Sequence, residues 1–195
     1  MAGKRNNPPR PKKTIEELRK ASDALHYDIW MFDEMVKSLS TQSPQPGNPQ
    51  YNVLVESFVQ HMRNLIEFFY PTGKVRPDTI IASDFFLTQN QWEKQIPPWL
   101  DNERTDAHKF LAHLTYDRMK KDKRWDYPKI SKYANEIIEE FREKVPPDRI
   151  GDKLKSCIVP SQTYPPVSQA LVSSGEAIGP SIAVMRSLIR PRKHI

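Results

Sequence analysis

The chain contains 195 residues, of which 37% are hydrophobic, and it carries a formal net charge of +6. This length predicts one domain of ordinary size with room for tails. No apolar run approaches the ~18 residues of a membrane span, which excludes a transmembrane protein, and the six glycines form no Gly-rich run, which excludes a Walker-type or dinucleotide-binding loop. A single cysteine, Cys157, and an N-terminus without the apolar stretch of a secretory signal favour a cytoplasmic location.

The positive charge is concentrated at the two ends of the chain. Residues 1–13 carry five Lys or Arg and no acid, and residues 147–195 carry seven against three acids, which leaves a net charge of −3 on residues 14–146. Basic ends of this kind bind phosphate backbones or acidic surfaces by long-range attraction, so RNA or another nucleic acid is one predicted partner. The alternative is that residues 1–13 form only a solvated, disordered and flexible arm.

The first predicted element is a long helix over residues 14–40. Thr14 is placed to cap it, and Glu17 three residues later completes a capping box. Apolar side chains then recur at alternating steps of three and four, which indicates one buried helix face interrupted only by Ser22. That face comprises Ile15, Leu18, Ser22, Leu25, Ile29, Phe32, Val36 and Leu39.

A breaker cluster at residues 43–49 separates this helix from a second one. The second helix is predicted to begin near Pro49 or Gln50 and to end before Pro71. Its apolar residues form a single stripe, made of Val55, Phe58, Val59, Met62, Leu65, Ile66 and Phe69. Residues 74–100 lack a long period, and we expect a short helix or an ordered loop that covers the bundle.

Two further helices are predicted, one over about residues 102–121 and one over about 128–145. Asp101 or Asn102 is the expected cap of the earlier helix. The expected inward residues are Ala107, Phe110, Leu111 and Leu114 in the earlier helix, and Ile130, Ala134, Ile137, Ile138, Phe141 and Val145 in the later one.

No segment shows the sustained alternation of a β-strand, so the predicted fold class is all-α. The helices predict an up-down bundle of four to five helices over residues 14–146. Prolines cluster from Pro146 onward, and we expect residues 147–195 to form a Pro-rich, mostly extended tail.

The densest set of ionisable residues lies on the predicted third helix. At 100° per residue, His113 shares a face with Lys109, Asp106, Tyr116 and Asp117. RNA cleavage through the 2′-hydroxyl needs an acid or base near neutral pH and a cation for the developing phosphorane charge, and it needs no metal. The alternative is a solvated helix face held by pairs three or four residues apart.

The histidines do not predict a metal site. His108 and His113 are five residues apart, or about 140° around a helix, so they point in different directions. His61 is a further residue that could approach His113 across the bundle. No H-E-x-x-H motif or Cys/His quartet is present, and we predict neither a metal nor a cofactor.

Two segments, residues 54–70 and 109–116, together resemble the HEPN-like group of bacterial helical proteins, which includes abortive-infection and toxin proteins. The resemblance covers roughly residues 14–145 and implies an all-α bundle that is often a homodimer. In active members, an Arg-x(4–6)-His motif forms a metal-independent ribonuclease site across the dimer. His113 matches the motif histidine, but the three positions where the arginine would stand are Asp106, Ala107 and His108.

Because the motif arginine is missing, and many HEPN-like domains are non-catalytic, the predicted function is a non-catalytic, self-associating helical module in a defence or stress context. The alternative is a metal-independent endoribonuclease, with His113 as acid/base and with Lys109 and Arg63 on the phosphate. Tyr116 completes the candidate catalytic residues. A lysine is a poorer bidentate phosphate ligand than an arginine.

A group of aromatic residues around the predicted loop has two interpretations. It can form a surface for self-association, or it can complete the core beneath residues 74–100. The group consists of Phe68, Phe69, Tyr70, Phe85, Phe86 and Trp92.

Overall fold

A computed structural model gives the fold of this protein. The residues that it describes are 11–43, 45, 48–73, 75–112, 116 and 123–157. Within these residues there are five α-helices and no β-strand, so the prediction of an all-α bundle is confirmed. The helices are α1 (Ile15–Thr41), α2 (Pro49–Phe69), α3 (Pro98–Ala107), α4 (Tyr127–Lys144) and α5 (Asp152–Ser156).

Helix α1 forms as its sequence predicts. The Thr14 hydroxyl accepts a hydrogen bond from the Glu17 amide at 3.1 Å, and the Glu17 carboxylate accepts one from the Thr14 amide at 2.7 Å, which is a complete capping box. The predicted apolar face is buried, except that Ile15 in the first turn remains 46% exposed. Burial of this face fixes which side of α1 meets the rest of the bundle.

Helix α2 packs antiparallel to α1. Asn48 caps it by accepting from the Gln50 and Tyr51 amides, and Pro49 occupies the first turn, where a missing N–H costs nothing. The rings of Phe32 and Phe58 stack with centroids 5.3 Å apart, midway along the two helices.

Residues 75–97 wrap over the end of this helix pair in two short 3-10 turns, Ala82–Phe85 and Gln89–Trp92. Their aromatic rings and those of Phe68 and Phe69 in α2 surround Phe141 of α4 edge to face, with centroids 5.4 to 5.9 Å from the Phe141 ring. All six aromatic residues singled out above are buried. The self-association surface inferred from them is therefore wrong, and their role in the core is confirmed.

Helix α3 begins at Pro98, four residues before the predicted start. Pro98 occupies the first helical position, where its missing N–H and fixed φ suit a helix start, and Asp101 pairs with Arg104 instead of capping. A π turn, His108–Ala112, follows directly. Beyond it only Tyr116 is described before residue 123, so the predicted continuation to 121 lies outside the described residues, as do the side chains of Phe110 and Leu114.

Helix α4 is close to its prediction. Asp126 caps it by accepting from the Lys129 amide at 3.1 Å. The Tyr127 ring packs edge-on against Phe58, with centroids 4.8 Å apart, which ties the start of α4 to the middle of the α1–α2 pair.

The packed part of the chain extends past the predicted boundary at residue 146. A 3-10 turn, Pro147–Arg149, leads into α5, whose Leu154 is 0% exposed, and Ile150 is also buried. The Gly151 amide donates to the Ser22 hydroxyl at 2.7 Å. Residues 147–157 are therefore not an extended tail, because two of their apolar side chains complete the core. The rest of the predicted tail, 158–195, lies outside the described residues.

No helix in the described part of the chain has the length and apolar character needed to cross a bilayer.

Candidate functional site

The four candidate catalytic residues are described to different degrees. Arg63 lies on α2, and Lys109 lies in the π turn that follows α3. Tyr116 is 79% exposed. His113 lies outside the described residues, so its place relative to the other three stays a prediction.

Arg63 is held by an acidic neighbour on its own helix. Its Nε donates to Glu67 Oε1 at 2.8 Å, one turn along α2. The Nε2 atom of His108 lies 3.6 Å from the same carboxylate oxygen. Glu67 therefore links α2 to the turn that carries Lys109. It also neutralises the positive charge of the Arg63 guanidinium, the group that the ribonuclease interpretation expects to bind the phosphate.

His61 finds its partner on α1. Its Nδ1 atom lies 2.6 Å from Asp28 Oδ1, and the Asn64 amide donates to the same oxygen at 2.9 Å. The Tyr27 ring meets the imidazole edge-on, with centroids 5.8 Å apart. Sequence reasoning considered His61 only as a neighbour of His113 and missed this contact, because no spacing within α1 or α2 indicates which polar residues face each other.

A cleft of about 180 Å³ lies between these two polar clusters. Its polar walls are Asp28, Asn64 and Glu67, and Thr79 and Ile80 close one side. The remaining walls are small or apolar side chains of α1 and α2, namely Ala21, Ala24, Leu25, Leu65 and Phe68. The carboxylates of Asp28 and Glu67 already accept hydrogen bonds from protein side chains. The cleft is therefore polar, but its acidic groups already have hydrogen-bond partners.

Two aromatic rings on α1 are partly exposed, Tyr27 beside His61 and Trp30 beside Tyr27. Tyr27 is 52% exposed and Trp30 is 51% exposed, and their ring centroids are 6.1 Å apart. Large aromatic side chains that are partly exposed to solvent are enriched on surfaces that contact a partner.

Asp106, which shares the predicted face of His113, forms an ion pair with Lys123. Lys123 Nζ lies 2.9 Å from Asp106 Oδ2 and 2.7 Å from Glu103 Oε2. Burial opposes the charge on this lysine, but the two carboxylates outweigh it and raise the pKa of Lys123 above its ordinary value. Asp106 therefore belongs to a structural ion-pair group that fastens α3 to the chain before α4.

The described residues contain no group of three or more His, Cys, Asp or Glu side chains arranged to hold a metal ion. No family model, curated protein or solved structure matches this chain.

Proposed function

We propose that this chain is a non-catalytic helical module of the HEPN-like kind, which self-associates and acts in a defence or stress context. The observation that supports this proposal is the bond between Arg63 and Glu67. A guanidinium already paired with a carboxylate must lose that partner before it can bind a phosphate, and this exchange costs part of the binding energy. Self-association and the defence or stress context are proposed from the resemblance to HEPN-like proteins.

The test is an RNA cleavage assay in EDTA with the wild type and with His113→Ala. We expect neither protein to cleave RNA above the buffer blank. Cleavage by the wild type that is lost in His113→Ala would overturn the proposal.

Self-association is tested separately by sedimentation velocity over a wide range of protein concentration. We expect the weight-average sedimentation coefficient to rise with concentration toward that of a dimer, which is the state that the resemblance to HEPN-like proteins implies. A monomer at every concentration would remove self-association from the proposal and leave the non-catalytic role unaffected.

A metal-independent endoribonuclease is the alternative, with His113 as acid/base and with Lys109 and Arg63 on the phosphate. The observation that favours it is the 3.6 Å distance from His108 Nε2 to Glu67 Oε1, because it brings the turn that carries Lys109 up to the part of α2 that carries Arg63. In this case Lys109→Ala and Arg63→Ala would each lower the cleavage rate by more than tenfold, while the exposed Tyr116→Phe would show whether the phenol takes part.

Non-specific binding of nucleic acid through the basic ends is a third candidate, favoured by the charge distribution along the chain. It predicts an affinity for RNA that falls steeply with salt and that weakens when the Lys and Arg residues of both ends are replaced by Gln. A flat salt dependence would reject it.

A further inference from the structure

The cleft of about 180 Å³ between α1 and α2 combines two carboxylates with an apolar wall. Water reaches both carboxylates, because the side chain of Asp28 is 24% exposed and that of Glu67 is 41% exposed. The apolar wall includes the buried side chains of Leu25, Leu65 and Phe68. A concave site of this kind, mostly apolar and with a few polar groups that converge, is typical of small-molecule binding.

Each carboxylate on the cleft uses only one of its two oxygens within the protein. His61 and Asn64 both meet Asp28 at Oδ1. On Glu67, the Arg63 guanidinium and the nearby imidazole both meet Oε1. Among the described residues, no side chain or amide bonds to Asp28 Oδ2 or to Glu67 Oε2. A carboxylate has about four acceptor positions, so each of these two can accept from a further donor.

These groups fit an organic cation better than a metal ion. Ca²⁺ takes roughly six to eight oxygen ligands, whereas the described residues bring no third acidic, His or Cys side chain into a metal-binding arrangement here. An alkylammonium group is satisfied by fewer acceptors, and its carbon chain gains from contact with apolar side chains. An amine with an alkyl chain therefore matches both the carboxylates and the apolar wall of the cleft.

The placement of the two carboxylates favours a ligand with an ammonium group at each end. Asn64 donates to Asp28 at 2.9 Å, and Glu67 follows Asn64 by three residues on α2. Residues with this spacing are neighbours on one helix face, about 4.5 Å apart along the axis. The two carboxylates are therefore separated by roughly one helical turn, which a short alkyl chain spans. Because Arg63 offsets the charge of Glu67, a ligand with a single ammonium group should favour Asp28.

We propose that this cleft binds a short linear diamine. One ammonium group donates to Asp28 Oδ2, the other donates to Glu67 Oε2, and the carbon chain between them lies against Leu25, Leu65 and Phe68. The two charges fix the ends of the ligand, and the apolar wall excludes water from its middle. This binding role goes beyond the proposed non-catalytic module, and it requires neither self-association nor RNA.

The test is isothermal titration calorimetry of the full chain at neutral pH and about 0.15 M ionic strength, where attraction between distant exposed charges is largely screened. Putrescine is the probe, butylamine is its counterpart with one ammonium group, and butanol carries no charge. We expect saturable binding of one putrescine per chain and no binding of butanol. Butylamine should bind about tenfold more weakly or worse, because it lacks one charge-assisted hydrogen bond.

Three variants assign the parts of the ligand to the cleft. Asp28→Asn keeps an oxygen that can accept from His61 but loses the charge, so it should weaken both amines by about tenfold or more. Glu67→Gln should reduce the affinity for putrescine to that for butylamine and leave butylamine unchanged. Ala24→Leu enlarges an exposed residue of the cleft wall, so it should block both amines without disturbing the core.

The matched control is Glu56→Gln, which removes a carboxylate from an exposed position of α2 outside the cleft. It should bind putrescine like the wild type. The proposal is overturned if the wild type shows no saturable binding of putrescine, or if it binds butylamine equally well. It is also overturned if Glu56→Gln and Glu67→Gln weaken binding equally, because affinity would then follow net charge alone. Unchanged affinity in Ala24→Leu would overturn it too, even if Asp28→Asn failed to fold. None of these results depends on the RNA or sedimentation assays.

Discussion

Ser22 illustrates how one polar residue in an apolar helix face can serve the packing of a distant segment. In the sequence it interrupts the buried face of α1. In the fold it is fully buried, donates to the Arg19 carbonyl at 2.7 Å and accepts from the Gly151 amide at 2.7 Å. Glycine favours this close approach, because a Cβ at position 151 would lie 3.1 Å from the Ser22 hydroxyl oxygen, which is tighter than most Cβ contacts. The apparent interruption is the site where the chain before α5 docks.

Ser22→Ala is expected to destabilise the fold by about 1–3 kcal/mol, because it leaves the Gly151 amide without its acceptor. Urea denaturation measures this loss, and the exposed Ser43→Ala is the control, with an expected change within about 0.5 kcal/mol.

A second measurement reports on α5 directly. Cys157 is the only cysteine, and partial burial raises the pKa of its thiol, so a thiol reagent should react faster in Ser22→Ala. Equal stability and equal thiol reactivity in both variants would contradict this role.

At the scale of helices, regular periodicity was enough to predict most of the core. The buried faces of α1, α2 and α4 follow from their apolar spacing, and the capping box at Thr14 follows from two residues. The predicted start of α3 is too late because Asp101 resembles a cap, whereas the helix begins at Pro98, a residue that suits the first helical position. Helix α5 was missed because a helix of five residues is too short to show an apolar periodicity in the sequence. Tertiary packing, and not its own sequence, stabilises a helix of this length.

The aromatic cluster is the element-level feature that holds residues 75–97 onto the bundle. Phe141 lies at its centre, between rings contributed by α2 and by the two 3-10 turns. Phe141→Ala is expected to cost about 3–5 kcal/mol, because a fully buried aromatic ring is removed and a cavity remains. Leu87→Ala is the control, since Leu87 is exposed in the same segment. Similar denaturation midpoints for the two variants would contradict a packed cluster.

At the scale of the whole molecule, Glu140 joins an ion pair within α4 to one that connects α4 with the distant residue Lys94. Lys94 and Lys144 each reach Glu140 on α4, with N–O distances of 2.6 Å to separate carboxylate oxygens. Hydrogen bonds from Lys144 and Lys94 lower the pKa of Glu140 below its ordinary value, against a smaller opposing effect of burial. Because the folded-state pKa is the lower one, the resulting stability is present at neutral pH and is lost as the pH falls through that pKa.

Between about pH 5 and pH 3, the wild type should therefore lose more stability than Glu140→Gln does. The difference should stay below about 1 kcal/mol, because the pair is partly exposed. Urea denaturation at several pH values measures it, with Glu136→Gln on the same helix as the control. If the free energy of unfolding changed with pH in the same way in the wild type and in Glu140→Gln, Glu140 would not contribute this pH-dependent stability.

The polar contacts between elements lay beyond sequence reasoning for a general physical reason. The pairing of His61 with Asp28, and of His108 with Glu67, depends on the rotation of each helix about its axis. That rotation is set by the whole buried surface and not by local spacing. The i,i+4 pair of Arg63 and Glu67 was predictable because both residues belong to one helix.

The contact between Gly151 and Ser22 joins positions 129 residues apart. Bringing two such distant points together carries a large loop-closure cost, which only an already formed bundle can offset. During synthesis on the ribosome, α1 emerges long before Ile150 and Leu154 exist, so the Ser22 side chain stays exposed to water until that later segment has been made and has docked.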